Sequence, residues 1–217
     1  MALAIFDLDN TLIAGDSDHR WGEFLCAEGL VEAESHARQN DAFYQAYQDG
    51  GLDIQAYLEF ALGPVAGMDR EQVQELQRRF MHDWIEPLLL NAAFDLLEEH
   101  RRAGDELLII TATNTVVTRP IADRLGVDTL IGCEAEMVDG RYTGKPTGIP
   151  SFKEGKVQRL ECWLEGRGLS REGAWFYSDS HNDLPLLEQV DNPVAVDPDP
   201  TLEATAKARG WRVISLR

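Results

Sequence analysis

The first apolar run of the chain, Ala2-Leu3-Ala4-Ile5-Phe6, ends directly in Asp7-Leu8-Asp9-Asn10-Thr11-Leu12. Two carboxylates, two residues apart, therefore follow a stretch with nothing polar in it. Such a run reads as a strand buried on both faces, as in a parallel sheet. Carboxylates at its end are destabilising in a packed interior unless they are paired or sit on a metal. Open α/β sheets place such groups outside the carboxyl ends of their strands, where ligands bind. One acid is then a candidate nucleophile and the other an acid/base, with a divalent metal holding the charge.

The rest of the chain agrees with a sheet of that kind. Residues 16–86 have helical spacing throughout, with Trp21, Phe24 and Leu25 on one face and Phe43, Tyr44 and Tyr47 on another. From about residue 91, helix and strand patterns alternate: helix 92–102, strand 106–110, helix 114–125, strand 130–133, a hairpin turning at Asp139-Gly140, helix 153–167, strand 175–178, and short strands at 194–196 and 212–215. Alternation implies right-handed crossovers and helices on both sheet faces. The expected fold is α/β: a Rossmann-like three-layer α/β/α core (1–15 and 87–217) with a helical bundle (16–86) inserted after strand one, beside the strand ends.

A net charge of −18 disfavours nucleic acid and anionic membranes as partners and favours a cationic or zwitterionic ligand. The 44% apolar content suffices for a full core. Cys26, Cys133 and Cys162 have no metal-ligand spacing and read as buried free thiols. With no basic leader and no apolar stretch of membrane-spanning length, the expectation is a soluble cytoplasmic protein, monomeric or homodimeric.

Three further polar clusters fall where strands end or lead: Thr111-Ala112-Thr113-Asn114, Lys156 near a helix start, and Ser178-Asp179-Ser180-His181-Asn182-Asp183. Singly they are ordinary. Thr-x-Thr-Asn after a strand serves as a helix cap, and Asp-rich turns are common. Acids, a hydroxyl and a lysine at successive strand ends together read as a phosphate–metal site.

These residues carry a resemblance. Asp7-Leu8-Asp9-Asn10-Thr11 resembles motif one, DxDxT, of the haloacid dehalogenase superfamily. Thr111, Lys156 and the pair Asp179/Asp183 are similar to its second, third and fourth motifs, and the helical insertion looks like its type-one cap. Ser-Asp-Ser-His-Asn-Asp-Leu-Pro further resembles the subfamily of the phosphoserine phosphatases.

The resemblance implies a Mg2+-dependent phosphomonoester hydrolase. Asp7 would attack phosphorus to form an aspartyl-phosphate, splitting one hard step into two. Asp9 would protonate the leaving group and then take a proton from water. Asp7, the Asp9 carbonyl and Asp179 would ligate Mg2+, with Asp183 holding water beside them. Lys156, with Lys153 as its competitor, would neutralise the phosphoryl oxygens. Thr111 and the Ala112 amide, at a helix N-terminus, would bind two of those oxygens, with Asn182 a further contact. His181 reads as an exposed turn residue.

For the leaving group, the resemblance places Asp16 where the subfamily binds a substrate amine. It places Ala61, with Glu59 nearby, where that subfamily carries an arginine for a substrate carboxylate. A phosphorylated amino alcohol is the expected small-molecule substrate, L-histidinol phosphate above all, and the pattern is similar to phosphatases of that ester. Its imidazole would meet Asp18 or Glu23 and an aromatic among Trp21, Phe43, Tyr44 and Tyr57, each of which also fits a bundle core. Phosphoserine or another small amino phosphate is the alternative. A phosphomutase and a non-enzymatic phospho-acceptor switch are the rivals from other classes.

Overall fold

The computed structural model describes residues 2–217. Strand β1 (Leu3–Phe6) alternates its side chains between two dry layers, as a pleated strand must. Ala4 and Phe6 join one core with Ile109, Tyr177 and Val194, and Leu3 and Ile5 join the other with Leu108, Ile110 and Phe176. Burial on both faces is why the run carries nothing polar.

The remaining strands are β2 (Glu106–Asn114), β3 (Thr129–Val138), β4 (Arg141–Thr147), β5 (Trp175–Ser178), β6 (Asn192–Val196) and β7 (Arg212–Ile214). They form one sheet in the order β4-β3-β2-β1-β5-β6-β7, parallel except for the β3–β4 hairpin. The chain runs outward from β1 through β2 and β3, then crosses to β5 on the other side of β1. The ends of β1 and β5 are therefore the switch point, where this architecture opens a crevice.

The first four helices after β1 are α1 (Ser17–Ala27), α2 (Ala33–Gln48), α3 (Ile54–Leu62) and α4 (Arg70–Phe80). Each starts at an acid, Asp16, Glu32, Asp53 or Asp69, whose side chain accepts from backbone amides of the first turn. Trp21, Phe24 and Phe80 interlock among them. At Gly22 a Cβ would lie within 2.7 Å of the Asn40 side chain, so glycine is what lets α2 approach α1.

Helices α5 (Asn91–Ala103) and α6 (Thr115–Leu125) cover one sheet face, and α7 (Glu154–Arg167), α8 (Leu184–Leu187) and α9 (Pro200–Arg209) the other. The core is the expected three-layer α/β/α arrangement. Some boundaries differ from expectation. Strand β2 runs on to Asn114, and the hairpin is longer because Tyr142 exchanges backbone hydrogen bonds with Gly67 and Met68 of the insertion. Helix α9 was not expected, despite its Asp199 cap, Pro200 and Gly210. The cysteines are all free, but only Cys133 is buried; Cys26 is half-buried, and Cys162 faces solvent on an amphipathic helix.

Candidate active site

The turn after β1 aims Asp7 and Asp9 past the sheet edge. Asn10 adopts a left-handed φ of 56°, a conformation asparagine tolerates better than most residues. Thr11 lies beneath it, fully buried, with Oγ1 at 3.3 Å from Asp7 Oδ2 and 3.2 Å from Asp179 Oδ1. That hydroxyl also accepts from the Asp179 amide at 3.1 Å, so it joins the ends of β1 and β5.

Lys156, 1% exposed, is the central cation. It donates to Asp7 Oδ1 at 2.8 Å and to Asp183 at 2.7–2.8 Å, and Ser178 Oγ donates to Asp183 Oδ2 at 2.7 Å. Burial works against its charge, but Asp183 and Asp7 outweigh burial and hold the ammonium well above its ordinary range. The tight turn before α7 needs Gly155, where a Cβ would fall 2.0 Å from the Pro150 carbonyl.

Asp9 is held from three sides. It accepts from the Ser17 amide at 2.6 Å, from Thr113 Oγ1 at 2.8 Å and from Thr111 Oγ1 at 3.4 Å. Burial raises its carboxyl to about 6, against the lowering pull of Ser17 and Thr113. One expectation needs correcting. Thr111 and Ala112 belong to the end of β2, not to a helix N-terminus, because Asn114 is the residue that caps α6. The strand continues because residues out to Asn114 still pair with β3 across a register shift.

Above these groups lies a cleft between the sheet ends and the helical insertion. Asp7, Asp9, Thr111, Ala112 and Thr113 line it from the sheet. Asp16, Asp18, His19, Asn40, Phe43, Tyr44, Tyr47, Leu52, Ile54 and Tyr57 line it from the helical insertion. Asp16 caps α1 by accepting from the His19 amide at 2.8 Å. Phe43, Tyr44 and Tyr57 are cleft residues, whereas Trp21 is core. Glu23 is also misplaced by sequence reasoning: it pairs with Arg20 at 2.8 Å on the outer face of α1 and does not line the cleft. Five helical residues past Asp18, it points about 140° away. Nor do Ala61 and Glu59 line it; α3 turns Tyr57 to the cleft instead.

Asn182 and His181 lie beside the insertion. Asn182 Nδ2 donates to the Tyr47 carbonyl at 3.0 Å, leaving its buried Oδ1 without a protein partner among the described residues. His181 is not a free turn residue; it is half-buried, with Nδ1 at 2.8 Å from Asp199 Oδ2. Lys153 does not compete with Lys156, because its ammonium donates to the Gly50 carbonyl at 2.7 Å.

Several residues with roles here do not stand out in the sequence. Thr11 lies inside the DxDxT pattern, and Thr113 and Asn114 inside Thr-Ala-Thr-Asn, so position alone was the available signal. Asn40 and His19 offered none.

Buried acid outnumbers buried base in this cluster. Burial lifts the Asp7 carboxyl to about 7 despite Lys156, and lifts Asp179 well above the carboxylate range, with Asp7 and Asp183 adding to the effect. Among the described residues, no group of three or more His, Cys, Asp or Glu side chains is gathered to cage a metal alone. Mg2+ asks for less: one or two carboxylates, with water and phosphate oxygens completing an octahedron. Asp7 and Asp179, joined through Thr11 and short of counter-charge, fit that requirement.

A strand-end acid pair bridged by a buried lysine, under a helical insertion, defines an α/β hydrolase built for phosphoryl groups. The family model described as haloacid dehalogenase-like hydrolase matches residues 4–188, and the chain belongs to that family. Within it the chain is a phosphatase. It is 47% identical over 219 residues to the histidinol-phosphatase of Neisseria meningitidis serogroup C, with 99% of each chain covered. It is 30% identical to a phosphoserine phosphatase of Mycobacterium tuberculosis, covering all of this chain and 71% of that one. A protein of unknown function from Bordetella pertussis Tohama I superposes with a TM-score of 0.93 at 44% identity, over 100% of this chain and 99% of that one. A substrate-bound phosphoserine phosphatase superposes at 0.72 and 16% identity, covering 100% and 93%, which is a likeness of fold. No helix among the described residues is long and apolar enough to cross a membrane.

Proposed function

We propose that this phosphatase hydrolyses L-histidinol phosphate, with Mg2+, through an aspartyl-phosphate on Asp7. The observation that carries the choice of substrate is the cleft wall. It presents Asp7, Asp9, Asp16 and Asp18, and no lysine or arginine lines it. A substrate carboxylate buried there meets four acids and no lysine or arginine, and an uncompensated buried charge costs several kcal/mol. An amine finds Asp16. The full-length relative named histidinol-phosphatase supports the same choice.

The helical insertion (16–86) acts as the cap over a core of 1–15 and 87–217. With the ester seated, Asp7 attacks phosphorus while Lys156 offsets the charge of nucleophile and phosphoryl oxygens. The ester P–O bond breaks, and the leaving alkoxide takes its proton from Asp9. Water then attacks the phosphoenzyme, and Asp9 accepts the proton that water sheds. Burial set against the hydrogen bonds of Thr113 and Ser17 keeps Asp9 near 6, where both protonation states are accessible. Asp7, Asp179 and the Asp9 carbonyl would hold Mg2+, with Asp183 beside them, and the ion would supply the positive charge that a phosphate dianion needs among so many acids. Thr111 and Ala112 stand ready for the phosphoryl oxygens; Asn182 does not, because its Nδ2 is committed to the Tyr47 carbonyl and its free Oδ1 is an acceptor.

The test is phosphate release with Mg2+ from L-histidinol phosphate and L-phosphoserine side by side, with Asp7→Asn as the blank. A kcat/KM at least ~100-fold higher for L-histidinol phosphate is expected, the scale of one unpaired buried charge. Equal rates, or a preference for phosphoserine, would overturn the substrate.

A further inference from the structure

Asp18 is buried, 4% exposed, and lines the cleft, yet only half of its carboxylate is engaged. Asn114 Nδ2 donates to Oδ1 at 3.2 Å, and Oδ2 has no partner among the described residues. Asn114 also caps α6, accepting from the Val117 amide with its Oδ1, so its side chain is clamped at both ends and fixes Asp18 against the end of β2. The Tyr57 hydroxyl is turned toward this acid, and Phe43 packs edge-on to the Tyr57 ring at 5.3 Å.

A buried oxygen without a donor is destabilising unless something fills the role. Burial, reinforced by the nearby Asp16 charge, pushes the Asp18 carboxyl well above its ordinary range, so its environment lacks a positive partner. Asp16 cannot provide one, being an acid itself. A donor from the ligand can. The surroundings also state its shape: an N–H group on a flat ring would lie among Phe43 and Tyr57 while its nitrogen meets Oδ2, an arrangement favoured by aromatic faces when the ring carries positive charge.

We propose that Asp18, fixed by Asn114 beside Tyr57, selects a leaving group that carries a second, ring-borne N–H donor beyond the amine read by Asp16. This deepens the substrate reading above by assigning the ring to one residue, but it can be tested without turnover.

Calorimetric binding of L-histidinol and L-phenylalaninol, in the presence of Mg2+, compares ligands with the same amino alcohol and different rings. Wild-type protein is expected to bind L-histidinol at least ~10-fold more tightly, the scale of one charge-assisted hydrogen bond. Asp18→Asn, which keeps the shape and removes the charge, is expected to erase that difference and leave L-phenylalaninol binding within about twofold. No preference in the wild type, or a preference retained by Asp18→Asn, overturns the proposal. The wild-type comparison stands even if the variant fails to fold. Turnover of L-histidinol phosphate is measured separately: a ring preference that depends on Asp18 without turnover keeps the inference and sinks the substrate, and turnover with an unchanged preference does the reverse.

Discussion

The Lys153 ammonium is hydrogen-bonded to the Gly50 carbonyl at 2.7 Å, tying the start of α7 to the turn that follows α2. Asn182 grips the same end of α2 through the Tyr47 carbonyl, and at Gly50, with a φ of 71°, a Cβ would come within 2.9 Å of His181 Nε2. Carbonyls at a helix end are free acceptors with partial negative charge, so a cation is well placed there. Lys153 itself takes a left-handed φ of 50°, a strained setting for a residue other than glycine. Lys153→Met keeps side-chain length and removes the donor. Steady-state kinetics should show KM raised about 3- to 10-fold and kcat little changed, a loss of order one hydrogen bond. Lys156→Met should instead remove at least ~10³-fold of kcat, since it strips charge from the phosphoryl site. Equal losses in the two variants would contradict this division of labour.

Thr113 donates to Asp9 Oδ2 and so favours the ionised carboxylate. Removing that hydroxyl leaves burial less opposed, and the Asp9 pKa rises from about 6. The first half-reaction needs Asp9 protonated. In wild-type enzyme the rate of phosphoenzyme formation therefore falls as pH climbs through that value, and in Thr113→Val the fall should move to higher pH. Single-turnover rates between pH 5 and 9 read the shift. An unmoved alkaline limb would separate Asp9 from the proton transfer.

Stability should respond to pH through the same acids. Asp7 and Asp9 hold protons to about 7 and about 6 when folded, against 3.8 as the ordinary value, and Asp179 is raised well above that value for the same reason, burial. A raised carboxyl contributes stability that is complete below its unfolded pKa and lost as pH rises through the folded one. Metal-free protein should thus lose thermal stability between pH 4 and 8. Mg2+ binds the ionised acids, so 5 mM MgCl2 should raise Tm by about 5 °C or more at pH 8 and by much less at pH 5. A larger effect at pH 5 would place the metal elsewhere.

How far the site could be read from sequence follows from what each residue signals. Asp7, Asp9, Asp179 and Asp183 stand out because charge at the end of an apolar strand has no packing explanation. Resemblance alone favours Lys156 over Lys153, since both open the same helix; in the structure Lys153 turns to the Gly50 carbonyl and Lys156 enters the site. Glu23 was separable, because helical periodicity from Asp18 already turns it outward. The grip on α2 was illegible for a different reason. Its acceptors are the main-chain carbonyls of Tyr47 and Gly50, and a carbonyl leaves no mark on the sequence. The open half of Asp18 is likewise a property of who is absent, which only packing reveals.

Asp16 does two jobs, and the choice of substitution decides which is measured. Its Oδ1 caps α1, and the cleft lies against the same side chain. Asp16→Ala removes both cap and charge, so about 1 kcal/mol of stability should go along with any loss of binding. Asp16→Asn keeps an oxygen for the His19 amide and discards only the charge. With Asp16→Asn, KM for an amine-bearing phosphate should rise at least ~10-fold, while KM for p-nitrophenyl phosphate, which has no amine, stays within about twofold. Because the cap survives, Tm should hold steady. If both substrates suffer alike with the fold intact, Asp16 serves the phosphoryl site through the neighbouring Asp9 and Ser17, and another group must read the amine.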